Sequence, residues 1–255
     1  MGSKICYRGI SGSNRVIKKF DYSPSLFFLS NKEEKFHTVY GEPVYQVKYE
    51  NIFEARKTIK QYEDIENFKV YGYNNFHYCF IGDAFPDEVK FDISKIQIAT
   101  IDIEVDSSDG FPEPAIAQNE ITAITVKYKN IFHIFGCGEF KTSEKNVAYH
   151  KCESEVKLLQ EFLSFWRRDY PDIITGWNCC GFDIPYIINR ITNLLGEEQA
   201  LKLSPWNKFI ENKINIKDDI IPVINIAGIS ILDYIHLYKK FEMNKKESYT
   251  LSNSA

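Results

Sequence analysis

The stretch Ala99-Thr-Ile-Asp-Ile-Glu-Val105 constrains the fold more than any other part of this chain. Ile101, Ile103 and Val105 alternate with polar residues. β-Branched residues at a period of two predict a strand with one face in a core. Side chains at i and i+2 project from the same face, so Asp102 and Glu104 stand together, opposite the isoleucines. Two like charges at that range repel, and one carboxyl is pushed towards its neutral form. A divalent cation removes the conflict, and hard ions such as Mg2+ or Mn2+ prefer carboxylate oxygen. The same alternation also describes the solvated face of an ordinary edge strand. The spacing therefore needs support from elsewhere in the chain.

Bulk properties narrow the field. The chain has 255 residues, 44% of them hydrophobic, which suits one large or two ordinary folded domains. A net charge of -4 excludes a grossly basic nucleic-acid coat but leaves room for a nucleic-acid enzyme with a locally basic surface. The opening MGSKICYRGISGSNR has no apolar signal core, and no run is long enough to span a membrane, so no membrane association is expected. The six cysteines show no Cys-x-x-Cys or zinc-finger spacing, which predicts free thiols in a reducing compartment. Cys179-Cys180 could close only a strained vicinal disulfide, so no redox role is assigned. The five histidines are scattered and are read as surface or core residues.

Residues 1–95 read as a smaller α+β domain of short strands with one helix. Ile52, Phe53, Ile59 and Tyr62 give Glu50–Tyr62 helical spacing, while the aromatic stretch Lys69–Ile81 reads as strand-like. Aromatics near lysines can stack single-stranded nucleic acid, but a small mixed core explains them better. A second organisation runs over 96–255. A strand over 96–105 is followed by a Gly-Pro loop at 109–114. The strands Ile121–Lys127 and Ile131–Gly136 then form a hairpin at an antiparallel edge. Ser154–Arg168 is an amphipathic helix with Val156, Leu159, Phe162, Leu163 and Trp166 on one stripe. Ile173–Trp177 is a short buried strand, and Ile184–Leu195 is a helix with Pro185 in its first turn. The expected fold class is α/β, a central mixed sheet flanked by helices.

A second carboxylate stands out in Gly176-Trp-Asn-Cys-Cys-Gly-Phe-Asp-Ile-Pro-Tyr186. Here a buried strand ends, a polar turn follows, and Asp183 precedes a helix. By itself Asp183 reads as an N-cap, Phe182 and Tyr186 as core, and Asn178 as a turn former.

Together the two stretches resemble the first and second exonuclease motifs of family B DNA polymerases, which belong to the DEDD class of proofreading nucleases. Asp102-Ile-Glu104 matches the first motif, and Asn178-x-x-x-Phe182-Asp183-x-Pro-Tyr186 the second. The resemblance is in particular to the replicative polymerases of large contractile-tailed bacteriophages. It extends through Asp109-Gly-Phe-Pro-Glu-Pro114, the segment Gly228–Phe241, and the Tyr22–Leu26 and Tyr40–Pro43 stretches near the start. It implies a ribonuclease-H-like exonuclease domain acting in the cytoplasm of an infected bacterial host. It also implies 3′→5′ hydrolysis of DNA with two Mg2+ or Mn2+ ions in the complete site, which Asp102, Glu104 and Asp183 help to hold. By the same match Phe111 and Phe182 touch the terminal bases or sugars, and Asn178 contacts the strand near the scissile phosphate. The segment Ile214–Val223, with Lys217-Asp218-Asp219 at its tip, lies where that family has a strand-separating β-hairpin. The implied partners are a single-stranded 3′ end or primer-template, and the remainder of a polymerase in cis or as a second chain.

The family's further Tyr-x-x-x-Asp motif, which supplies a fourth carboxylate and a tyrosine, is not matched. Tyr238–Glu242 has the spacing but falls inside the matched Leu-Tyr-Lys-Lys-Phe segment. A fragment of a polymerase or the first piece of a split one is therefore expected, with weak or no activity in isolation. A single-stranded nucleic-acid-binding module is the alternative.

Overall fold

The computed structural model describes residues 4–11, 14–66, 68–72, 75–87, 90–108, 110–216, 219–242 and 249, with backbone alone for 214–216 and 219–222. Contacts divide the chain into two compact units, Met1–Asp92 and Ile93–Ala255.

The first unit begins with the antiparallel pair β1 (Lys4–Ser11) and β2 (Asn14–Asp21). The strands β3 (Ser25–Leu29), β4 (Phe36–His37) and β5 (Pro43–Lys48) follow, then helix α1 (Ile52–Tyr62), strand β6 (Val70–Tyr71) and helix α2 (Phe76–Ala84). β3 to β6 form a four-stranded sheet in the order β4-β5-β3-β6. Asn51 caps α1 by accepting the Glu54 N–H. Ile52 and Ala55 face the core, whereas Phe53, expected on the apolar stripe, is exposed. The strand-like reading of Lys69–Ile81 is corrected: after two strand residues the chain turns into α2, capped by Asn75. Phe76, Cys79 and Phe80 fall at i, i+3 and i+4, so one helical face meets Leu26, Phe28 and Tyr22.

The second unit holds β7 (Ile98–Val105), β8 (Ile121–Tyr128), β9 (Ile131–Gly136), β10 (Val147–Lys151), α3 (Glu155–Arg168), β11 (Ile173–Gly176), α4 (Asp183–Leu195) and α5 (Glu197–Ala200). The hairpin β12 (Phe209–Ile216) and β13 (Asp219–Ile226), strand β14 (Ser230–Asp233) and helix α6 (Tyr234–Phe241) complete it. Among the described residues the central sheet has six strands in the order β10-β9-β8-β7-β11-β14. β7, β8 and β9 are antiparallel neighbours, while β10 runs parallel to β9, and β11 parallel to both β7 and β14. The sheet is therefore mixed. The hairpin expected at an antiparallel edge lies inside it, because β10 adds a parallel strand beyond β9.

β7 behaves as its alternation dictates: Ala99, Ile101 and Ile103 are buried, and Asp102 and Glu104 face outward. α3 packs against β8 and β9, and α4 against β7. Leu158, Leu159, Phe162, Leu163 and Trp166 of α3 enter this core, but Val156 is exposed and Leu158 takes the place expected for it. α4 ends at Gly196, whose φ of +92° suits glycine alone at the stop. The segment Ile214–Val223 falls in the β12–β13 hairpin as the resemblance implied. Two of its tip residues, 217 and 218, lie outside the described residues. All six cysteines are free.

Candidate active site

β7, β11 and β14 lie side by side and parallel, so their C-terminal ends point the same way. In sheets of this kind the ligand crevice lies outside those ends. Pairing of β7 with β11 covers only Ile98 to Thr100. Past that point β11 has ended, and Gly176 lies so close that a Cβ on it would stand 2.7 Å from the Ile101 carbonyl oxygen. The chain then turns away through residues 177–182 and re-enters as α4.

Asp183 takes the place of the missing strand partner. Its Oδ1 accepts the main-chain N–H of Ile103, the residue between Asp102 and Glu104, at 2.9 Å. The N-cap reading of Asp183 is thereby corrected. It is the first residue of α4, Phe182 holds the cap position, and that cap makes no side-chain bond. Burial and the Asp102 charge push the Asp183 carboxyl up to about 7, against the Ile103 N–H and its own amide, which pull it down. Burial raises the Asp102 carboxyl as well. Glu104 shares the outward face with Asp102. The structure thus brings Asp183 beside Asp102 on the second half of β7, with Glu104 two residues further along on the Asp102 face; among the described residues the three carboxylates do not form one tight cluster of ligand atoms.

The three residues expected to meet DNA collect at the same end. Phe111 is 84% exposed. Its ring centroid lies 5.7 Å from that of Phe182, which in turn lies 5.5 Å from Tyr186. Asn178 adopts a left-handed φ of +61°, a conformation that asparagine tolerates. Its carbonyl accepts the N–H groups of Gly181 and Phe182, so it is a turn former as well as a candidate contact.

Sequence reasoning missed how the loop carrying Phe111 is held. Tyr186, Asn189, Arg190 and Asn193 fall at i, i+3, i+4 and i+7 of α4, one face of the helix. They donate to the carbonyls of Asn119, Pro114, Ala117, Gln118 and Ile116. Arg190 also forms a bidentate pair with buried Glu155, Nε to Oε1 at 2.7 Å and Nη2 to Oε2 at 2.6 Å. Glu155 Oε1 accepts the Ile121 N–H at 2.7 Å. The signal was present as a polar ridge on an otherwise apolar helix. Beside it opens a groove of about 850 Å³, walled by Glu113, Pro114, Pro185, Asn189, Glu211 and Lys213 among others, so its charged lining holds two carboxylates and one lysine.

Cys179, Cys180 and Asp233 also lie close together, their ligand atoms within 4.8 Å of one another. The chemistry there is different. Asp233 already accepts three main-chain N–H groups, and the Cys180 side chain together with burial drives the Cys179 thiol far up, holding it neutral.

A central mixed sheet flanked by helices, with carboxylates beyond the ends of its parallel strands, is the architecture of a ribonuclease-H-like exonuclease domain. Residues 78–253 match the model of the exonuclease domain of DNA polymerase family B, and the chain belongs to that family. It is 36% identical to the DNA-directed DNA polymerase of Escherichia phage RB69 over 98% of this chain and 31% of that protein. It is 32% identical to the polymerase of Enterobacteria phage T4 over 100% of this chain and 31% of that one. The similarity reaches the DNA polymerase catalytic subunit of an elephantid herpesvirus, at 31% identity over 43% of this chain and 8% of that subunit. The chain spans about a third of the length of the two phage relatives. No helix among the described residues is long and apolar enough to cross a membrane.

Proposed function

We propose that this chain carries the 3′→5′ proofreading exonuclease of a viral replicative DNA polymerase, acting in an infected bacterial host. Residues 1–95 are read as that polymerase's N-terminal domain, and 96–255 as exonuclease. The observation that carries the reading is the seat of Asp183 on Ile103, between Asp102 and Glu104.

Three carboxylates beside a nucleic-acid phosphate would repel it, so a purely binding role gives this cluster no purpose. Their donor chemistry, hard oxygen with one carboxyl held up by burial and by its neighbour's charge, fits Mg2+ or Mn2+. Asp102, Glu104 and Asp183 would hold the metal, which when bound supplies charge neutralisation and an activated water. The chemistry is hydrolysis: water adds to phosphorus, the bond to the 3′ oxygen of the preceding nucleotide breaks, and a nucleoside 5′-monophosphate leaves. The chain's own part is to position the strand. Phe111 offers an open ring face to the terminal base, with Phe182 behind it. Asn178 approaches the scissile phosphate, and the groove beside Pro185 and Lys213 receives the rest of the single strand.

By resemblance the complete site includes a further Tyr-x-x-x-Asp motif, so residues 1–255 alone are expected to digest slowly. Groups acting as one catalytic unit are strongly non-additive. The test uses 5′-labelled single-stranded DNA with the 255-residue chain and with a chain extended to a downstream Tyr-x-x-x-Asp segment, and Asp102→Ala as control. Mg2+-dependent shortening from the 3′ end by the extended chain, lost in Asp102→Ala, is the expected result. No shortening by the extended chain would overturn the reading.

A further inference from the structure

Asp233 is the last residue of β14, paired in register with Gly176 at the end of β11. It is 3% exposed. A carboxylate in such a place costs free energy unless its oxygens are satisfied. Here they are: Oδ1 accepts the N–H of Asn178 at 2.9 Å and of Ile235 at 3.0 Å, and Oδ2 accepts the N–H of Cys180 at 2.8 Å. Two of these donors belong to the turn that delivers Asp183, and the third opens α6.

Among the described residues the start of the turn is otherwise held through Trp177, whose indole N–H donates to the Tyr249 carbonyl at 3.0 Å and whose ring meets Tyr238. Asn178 stands in the left-handed region, and the following bonds all run forward, from Gly181 and Phe182 to the Asn178 carbonyl and from Ile184 to the Cys179 carbonyl. Asp233 thus does for this turn what an N-cap does for a helix, but from a neighbouring strand. Asp183 lies three residues beyond Cys180, at the far end of the same run of bonds. We propose that Asp233 is a positioning residue that sets the metal-binding posture of Asp183 by clamping the Asn178 and Cys180 amides. This rests on the nuclease reading above. With three of about four lone-pair sites engaged by main-chain N–H groups, Asp233 acts through the turn rather than as a fourth metal ligand. Outer partners of this kind tune metal affinity by about 10- to 100-fold.

Asp233→Asn keeps the shape of the side chain. Its amide oxygen still accepts the Asn178 and Ile235 N–H groups, but its NH2 faces the Cys180 N–H, donor against donor. Binding of Mn2+ alone to the 255-residue chain is followed by the loss of the free-ion electron paramagnetic resonance signal. Asp102→Asn serves as the site control, and Glu155→Gln as a variant that loses stability away from the turn. The expected result is Mn2+ binding by the wild type that is lost in Asp102→Asn and weakened roughly ten-fold in Asp233→Asn, but unchanged in Glu155→Gln. A structural role alone would weaken both variants in step with their melting temperatures and so would overturn the proposal, as would wild-type affinity in Asp233→Asn. If the wild type shows no Asp102-dependent binding, the nuclease reading itself falls and takes this proposal with it. A second measurement needs no variant. Amide exchange at Asn178 and Cys180 in the wild type is expected to slow when Mn2+ binds, and unchanged exchange there would overturn the clamp even if Asp233→Asn fails to fold.

Discussion

Asp183 and Ile103 are joined by one hydrogen bond, side-chain oxygen to main-chain N–H at 2.9 Å across 80 residues of sequence. It completes the β7 edge where β11 stops short, and it brings a helix-borne carboxylate within reach of the Asp102 charge. The fold and the site share this contact, so changes at Asp183 have effects on both.

Asp102→Asn and Asp183→Asn are expected to lower 3′→5′ hydrolysis by the extended chain at least about 100-fold, since each removes one member of a catalytic unit. Asp102 is outward-facing and its charge disfavours ionised Asp183, so its variant is expected to melt no lower than the wild type. Gel assays of labelled single strands and thermal melts check both statements. Full activity in either variant would remove that residue from the site.

The pH dependence follows from the buried Asp183 carboxyl, raised from 3.8 to about 7 by burial and the Asp102 charge. A raised carboxyl favours the folded state when neutral. Its contribution is full below about pH 4 and is lost as pH rises through 7, up to about 4 kcal/mol in all. Cation-free chain should therefore grow less stable between those limits, and Asp183→Asn should flatten that slope. Mn2+ competes with the proton, so the stabilisation it brings should be larger at pH 8 than at pH 5. Urea melts at the two pH values, with Mn2+ or a chelator, measure it.

Phe111 is almost fully exposed and contributes little to the core. Phe111→Ala is expected to leave the melting temperature within about 1 °C, because exposed surface changes cost little. It should raise KM for single-stranded DNA roughly ten-fold, in the range of a lost base stack. Unchanged KM in steady-state assays would show that the exposed ring is not a DNA contact.

Glu155 and Arg190 form a partly buried bidentate pair that joins α3, α4 and the start of β8. Breaking such a pair strands a charge and costs about 3 kcal/mol or more. Glu155→Gln should lose about that much in urea denaturation, and replacing both partners with apolar residues should recover only part of it, because the Ile121 N–H and the loop carbonyls that Arg190 serves would then be unanswered.

Legibility in the sequence followed locality. β7 was readable because its alternation lies within eight residues, and α3 and α4 because their apolar stripes repeat over three turns. β10 and β14 were not: each is four or five residues long and runs parallel to its partner, β9 for β10 and the far-removed β11 for β14, so no hairpin turn announces it. The aromatic run before Ala84 suggested β-propensity, yet Phe76, Cys79 and Phe80 pack on one helical face. Asp102, Glu104 and Asp183 were proposed through their motifs. The bond from the Ile103 N–H to Asp183, and the N–H groups that Asp233 accepts, are contacts between distant segments that no local pattern encodes.

The ridge of Tyr186, Asn189, Arg190 and Asn193 grips its neighbouring loop solely by main-chain carbonyls. Every residue type carries a carbonyl, so the grip is indifferent to what Ala115, Ile116, Gln118 and Asn119 happen to be. Ala117, buried and at a φ of +48°, is the exception. Mutational drift can therefore rewrite most of this loop while the seat of Phe111 stays where it is. The corresponding helix positions are not free in the same way, because a lost donor there leaves a loop carbonyl unanswered. A saturation scan would separate the two: a permissive loop facing an intolerant helix.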